Sequence, residues 1–500
     1  MNNQFISIDF AGTKKVLMVK LKDIMQTPQF CGDVLIDFRR IIKLLNELAD
    51  NIFYVFEYPY VDRHYRDTFY TYHAAKHEEF YRNCIRIHLF ADFSIAKAED
   101  LIDLMNADKK KYRGFFIVRP LPKCPLGRSM ITPTAFKKRE ILCCLMRSRV
   151  SLLGHRLEVF GFPHIAQDTE THTCAESSLW SLIEYLGHRY IQYTPLLPSE
   201  IIQKLSFISS HRSLPSIGLD PDEISKCLHD VGCECVIDKA FFMEKDNVAE
   251  IDKFGLFLLK IYIESGVPIY IILEDFKGPG HAALIIGHED KYDHVTFQST
   301  VDNVWQDVSG FEKKMVVIDD NQPPYQIGKL ESLISYNQDY MVTHYFVPLP
   351  KNTNLDARRA FFLSKMVFDD PGVGLKIFGN RWLTRLFLTG SHSFKRFLLE
   401  RSGIHAVFKK YFAFLSFPKF VWVCEIYNTE EFGQKQKKCS GLLIIDATGS
   451  NAITSILWYN VGDKQIIHDG HGWTSIKPIK PFKMTAFQHN LKGEWSKWEI

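Results

Sequence analysis

Several function classes are excluded by what this sequence lacks. No apolar run approaches the roughly 20 residues that span a bilayer. The nearest, Gly255–Phe276, is broken by Lys260, Glu264, Ser265, Gly266 and Pro268, so no membrane span is expected. The opening residues MNNQFISIDFAGTKK carry no charged head ahead of an apolar stretch, and a secretory signal is therefore not expected. A charge excess is missing too: 61 Lys and Arg stand against 58 Asp and Glu, a net charge of +3. The basic residues are dispersed apart from Lys109–Lys111 and Lys435–Lys438, so nucleic acid is not an expected partner. There is no phosphate-cradling GxxxxGK[ST] and no dinucleotide fingerprint. The 11 cysteines are odd in number and follow no framework spacing, which reads as reduced thiols in a cytoplasmic protein. Cys233-Glu-Cys235 has no partnering pair, and His468-Asp-Gly-His471 has no further ligands nearby. Neither a metal nor another cofactor is expected. Internal repeats and low-complexity tracts are absent as well.

What is present suits real hydrophobic cores: 46% hydrophobic residues, 24% charged, with 39 Phe and 21 Tyr in 500 residues. That length suggests about three domains. Residues 1–150 mix signals, with helical spacing over Val34–Leu48, a buried strand at Gly114–Val118 and a helix over Lys137–Ser148. Residues 155–348 predict helices at Ala175–Leu186 and Asp222–Val231, followed by strands at Ile269–Leu273, His281–Ile286 and Met315–Ile318. Helices first and strands afterwards imply an α+β domain on a largely antiparallel sheet. The proline-bearing stretch Pro348–Asn354 reads as a linker. Beyond it, residues 355–500 predict helices at Leu355–Val367, Arg381–Leu388 and Phe394–Arg401, then strands at Val421–Ile426, Gly441–Ile445 and Ile453–Tyr459.

The chemistry gathers in the middle segment. Leu179, Leu182, Ile183 and Leu186 form one apolar helix face, with Gly187 as a plausible stop, so Cys174 falls at the helix N-terminus. The partial positive charge there favours a thiolate. His281 opens a strand directly after the loop Glu274–Gly280, a rim position from which a base reaches a nucleophile on a neighbouring helix. His288, at the far end of that strand, reads as structural. A third element, the strand ending in Asp319-Asp320-Asn321, supplies an acid able to fix the imidazole's tautomer. Side chains alternate along a strand, so one of the two aspartates faces the histidine; Asp320 is preferred and Asp319 is the alternative.

The order of Gln167, the Cys174 helix, the Gly280-His281 strand and the strand ending in aspartate resembles the papain-like cysteine peptidase superfamily. It looks closest to the branch that includes bacteriocin leader-processing peptidases. The segment Gly218–Gly232, a Gly-Leu turn with a helix and a closing glycine, also has a counterpart there. The resemblance covers about Phe162–Tyr325. It implies a central papain-like domain in which a helix bearing the cysteine packs on an antiparallel sheet. It further implies Cys174 as nucleophile, His281 as base, Asp320 as orienting acid and Gln167 as a donor to the oxyanion beside the Cys174 N–H. The pattern departs from papain proper: Cys-Gly-Ser-Cys-Trp is absent and Ala175 stands where glycine is usual.

The reading that follows is a cytoplasmic thiol hydrolase cleaving a peptide or isopeptide bond in a specific protein partner. Deamidation or acyl transfer by the same triad is the alternative within enzymes, and a non-catalytic binding or scaffold module is the alternative outside them. The flanking regions are then candidates for recognition and for substrate or partner binding. The Tyr- and Arg-rich segment Glu57–Tyr72, with Arg119 and Arg128, is either a recognition surface or an aromatic-lined interface, the latter preferred.

Overall fold

A computed structural model describes residues 6–92, 100, 102, 111–137, 140–207, 214–216, 218–239, 252–275, 280–290, 304–330, 340–400, 404–432, 438–449, 454–461, 464–468, 473–475 and 482–492. The architecture is α+β, and its sheets are mostly antiparallel. Two compact units interleave in sequence. The first is Met1–Gly232, Tyr270–Glu289 and Met315–Thr343; the second is Cys233–Ile269, Asp290–Lys314 and His344–Ile500. They do not coincide with the segments 1–150, 155–348 and 355–500 read from the sequence.

The elements are numbered in chain order through both units. The first unit contains strands β1 (Ser7–Ala11), β2 (Ile52–Tyr60), β3 (Cys84–Ala91), β4 (Tyr112–Val118), β5 (Leu126–Ile131), β6 (Ile141–Cys143), β7 (Met146–Leu152) and β8 (His155–Ile165). Its helices are α1 (Lys14–Met25), α2 (Arg39–Glu47), α3 (Arg63–Thr71), α4 (Cys174–Arg189), α5 (Pro198–Ser206) and α6 (Pro221–Asp230). One seven-stranded sheet runs β1-β2-β3-β4-β5-β8-β7, antiparallel throughout. A second sheet takes β14 (Gln326–Lys329), β13 (Lys314–Ile318), β11 (His281–Glu289) and β10 (Ile269–Asp275) in that order, then the start of β15 (Tyr340–Pro350), with β6 also on β11. The buried helix α4 packs on β8 and β11, and so connects the two sheets of this unit.

In the second unit, His344–Pro350 of β15 pairs antiparallel with β9 (Cys233–Lys239). A seven-stranded sheet there is ordered β12 (Trp305–Asp307), β16 (Trp382–Gly390), β17 (Phe420–Asn428), β19 (Gly441–Asp446), β20 (Ile456–Val461), β21 (Lys464–His468) and β22 (Trp473–Ser475). The β12–β16 pair is parallel. Strands β18 (Lys438–Cys439) and β23 (Met484–Thr485) form a small ladder. Its helices include α7 (Lys253–Glu264), α8 (Ala357–Asp369), α9 (Ser391–Glu400) and α10 (Ala406–Phe414). An aromatic core built from Phe387, Phe394, Phe412, Trp458 and Phe487 holds the unit together. No helix among the described residues is long and apolar enough to cross a membrane.

Four sequence expectations are corrected. The stretch expected as a helix over Lys137–Ser148 contains the strands β6 and the start of β7, and along β7 buried Val150 and Leu152 alternate with exposed Arg149 and Ser151. Arg381–Leu388, expected as helix, is β16, buried along nearly its whole length. A short apolar run buried on both faces carries no period that separates strand from helix. The linker reading fails at Pro348–Pro350, which belongs to β15 and pairs with Cys233–Cys235. Finally, Gly187 does not end α4, which continues to Arg189. A Cβ at Gly187 would lie 2.5 Å from the backbone nitrogen of Pro195, so the glycine serves close approach rather than termination.

Candidate functional site

Cys174 is the first residue of α4. The chain reaches it through a loop wound around one carboxylate: Asp168 Oδ1 accepts the backbone N–H groups of Glu170 (3.0 Å), Thr171 (2.7 Å) and His172 (2.9 Å). Asp168 Oδ2 accepts the Thr171 hydroxyl and lies 3.7 Å from His172 Nδ1 and 3.9 Å from His73 Nε2. Burial would raise this carboxyl, but the neighbouring His172 and His73 rings and the nearby Arg119 charge hold it well below the usual carboxylate range. Thr169 takes the left-handed φ of 67° within the turn. The helix start is then fixed by Glu176, whose carboxylate accepts the Thr173 N–H at 3.0 Å together with the hydroxyls of Thr173 and Ser216. A carboxylate in the first turn of a helix also complements its dipole.

This setting distinguishes Cys174 from the other cysteines. All eleven are free; Cys174 and Cys235 are partly exposed and the rest are buried. Burial pushes the thiols of Cys31, Cys144 and Cys227 up to about 12, where they are inert.

His281 opens β11. In the β11–β13 ladder Leu284 pairs with Ile318, and continuing that antiparallel register sets His281 across from the residues that leave β13. His281 Nε2 lies 3.2 Å from Asp319 Oδ1 and 4.0 Å from Asp320 Oδ1. Burial would lower the imidazole, yet hydrogen bonds with Asp319 and Cys174 and the charges of both aspartates outweigh it and push His281 up to about 11. Nε2 is thus the ring nitrogen that faces the aspartates. Asp320 is raised by burial and by the neighbouring Asp319 charge, against the pull of His281 and Arg40. The nearer acid is thus Asp319, whereas the sequence preference was Asp320.

Gln167 sits half-buried beside this corner. Its side-chain amide donates to Asn321 Oδ1 at 2.5 Å. Arg40, from α2, donates to Asn321 Oδ1 at 2.7 Å and to the Gln167 carbonyl at 2.8 Å. The Asn321 N–H donates in turn to Asp319 Oδ1 at 2.8 Å. Asn321 therefore joins the glutamine to the acid that faces His281.

The supports come from both sheets of the unit. Buried His164 on β8 is driven down to about 4, chiefly by desolvation. As a neutral ring it donates from Nε2 to the Asp319 carbonyl (3.2 Å) and accepts the Ser129 hydroxyl at Nδ1 (3.2 Å). Tyr325 closes the turn after the aspartates at φ 64°, which costs an L-residue about 1 kcal/mol. Its hydroxyl donates to the Ile131 carbonyl (2.7 Å) and accepts the Phe162 N–H (2.8 Å). Ser178 of α4 donates to the Ala282 carbonyl (3.2 Å), and Tyr270 of β10 donates to the Ala175 carbonyl (3.2 Å). These two bonds set the cysteine helix against the histidine strand and its neighbour β10.

The five residues singled out from the sequence, Cys174, His281, the aspartate pair and Gln167, thus share one unit and one corner. Sequence reading missed Asn321, Arg40, His164 and Asp168. Asn321 lay in a turn that gave no hint of its partners, and Arg40 is separated from Gln167 by 127 positions, beyond any local pattern. The loop Glu274–Gly280 falls largely on 276–279, outside the described residues. His288 is buried and donates from Nδ1 to the Glu289 carbonyl at 2.6 Å. Arg119 is buried and donates to the carbonyls of Cys124, Leu126, Ala166 and Gln167. Arg128 donates to Asp62, which also caps α3. Both arginines face inward. Comparison with known proteins gives no match to a family model and none to a curated protein.

Proposed function

We propose that the chain is a thiol hydrolase that cleaves a peptide or isopeptide bond in a protein partner. The observation that carries this reading is His281, with Nε2 3.2 Å from Asp319 Oδ1 and the partly exposed Cys174 as its other hydrogen-bonding neighbour. A cysteine helix laid against an antiparallel histidine strand supports a papain-like arrangement of this unit. The eleven free cysteines support a reducing, cytoplasmic setting.

In this mechanism the Cys174 thiol proton already rests on His281, whose raised pKa favours the imidazolium, and the sulfur attacks the substrate carbonyl carbon as a thiolate. Asp319 holds the ring in place and stabilises the imidazolium. The tetrahedral oxyanion is met by the Cys174 backbone N–H and the Gln167 amide, a donor whose loss typically costs about 10² to 10³ in rate. His281 then protonates the leaving amine, and water, deprotonated by the same ring, hydrolyses the thioester.

An electrophilic thiol probe tests the reading without knowledge of the substrate. Cys174 should be labelled faster than the other ten cysteines, and His281→Ala should abolish that advantage. Equal labelling of Cys174 and Cys235, the other partly exposed thiol, would sink the catalytic assignment. Mass spectrometry of lysate treated with the protein should then show new peptide termini rather than deamidated side chains or new acyl adducts.

A further inference from the structure

The Nε2 side of His281 has its own chemistry. One ligand atom each from His281, Asp319 and Asp320 lies within 4.8 Å of the other two, and all three residues are buried. Asp320 is the informative member. Its residue is 3% exposed, and neither carboxylate oxygen has a hydrogen-bond partner among the described residues. Asp319 Oδ1, by contrast, accepts the Asn321 N–H. A buried carboxylate aimed at an imidazole 4.0 Å away without a hydrogen bond is costly, unless a cation completes it.

The spacing suits a small divalent ion. Zinc binds imidazole nitrogen and carboxylate oxygen at about 2.0–2.2 Å in a tetrahedron, so neighbouring ligand atoms stand roughly 3.3 Å apart, the tetrahedral edge for such bonds. The observed separations from Nε2 are 3.2 Å and 4.0 Å, and the longer one closes with a small side-chain rotation. Once the ring's Nε2 proton is displaced, the imidazole and the two carboxylates together balance a dication. We propose that His281 Nε2, Asp319 and Asp320 form a binding site for a divalent transition-metal ion of the zinc type.

A metal on Nε2 takes the place of the ring's Nε2 proton, so binding releases a proton and weakens as the pH falls. Cys174 does not belong to the ligand cluster, so the site differs from simple capture of zinc by a thiol.

The test uses the full chain, stripped with a chelator and dialysed against zinc chloride, with bound metal measured directly. Wild type and Cys174→Ala should each retain one equivalent that Asp320→Asn binds about tenfold or more weakly. Asp319→Asn provides a second isosteric variant, and circular dichroism checks that both remain folded. Equal retention by wild type and both aspartate variants would overturn the site. Retention lost in Cys174→Ala would overturn it in favour of a thiolate-bound ion. If His281→Ala leaves the labelling of metal-free protein unaffected, the hydrolase reading fails, while the metal measurement still decides the site.

Discussion

At the scale of the residue, Asp319 and Asp320 show how adjacent side chains of one type take different duties. Asp319 Oδ1 is tied to the Asn321 N–H and stands 3.2 Å from His281 Nε2, so it is positioned to hold the ring. Asp320 is farther, at 4.0 Å, and its ionisation is opposed by burial and by Asp319. In metal-free protein, Asp319→Asn should slow probe labelling of Cys174 by about 10²-fold or more, within the range for a disrupted acid–base group. Asp320→Asn should slow it less. The opposite order would return the orienting role to Asp320. The alternation of strand side chains announced that one aspartate would face the histidine, but not which one. That depends on the ladder between β11 and β13, whose register shifts between Ile285 and Gly287.

At the scale of the element, the loop ahead of α4 does as much for Cys174 as the helix does. Asp168 gathers three backbone N–H groups and lies beside His73, His172 and Arg119. Its folded pKa is depressed, so its stabilising contribution is fully present above the ordinary carboxylate value near 3.8 and is lost as pH falls through the lower folded value. Asp168→Asn should cost about 1.5–3 kcal/mol at neutral pH, the range for hydrogen bonds to a charged group. The difference from wild type should narrow as the pH drops below that ordinary value. Thermal melts across pH check the sign; a gap that widens in acid would contradict the assignment. The sequence marked this loop only as polar and rich in hydroxyls, because a carboxylate that collects backbone groups leaves no periodic trace.

At the scale of the whole molecule, every residue of the candidate site belongs to the first unit, drawn from segments as distant as Arg40, Gln167, His281 and Asn321. The second unit has its own buried charge network. Lys313 Nζ lies 2.5 Å from Glu264 Oε1, both side chains at most 3% exposed, and Arg385 Nη1 approaches Glu264 Oε2 at 3.6 Å. Lys313→Ala leaves that carboxylate with weaker compensation and should destabilise the second unit by about 3 kcal/mol, the low end for breaking a buried pair. Well below the melting transition, the rate at which the probe labels Cys174 should stay at its wild-type value. A parallel fall in labelling and in melting temperature would show that the site depends on both units.

Local pattern alone determined the α+β class, the cysteine at a helix start, the histidine at a strand start and the acids at a strand end. Each is a statement about neighbours in the chain, where turn residues and hydrophobic period act directly. Tertiary structure decided the rest. Short apolar runs such as Trp382–Gly390 became strands because they are buried on both faces. Asn321 became the joint between Gln167 and Asp319 because α2 delivers Arg40 to it. Asp319 rather than Asp320 became the nearer acid because a ladder register, and not a local preference, sets which carboxylate meets the imidazole.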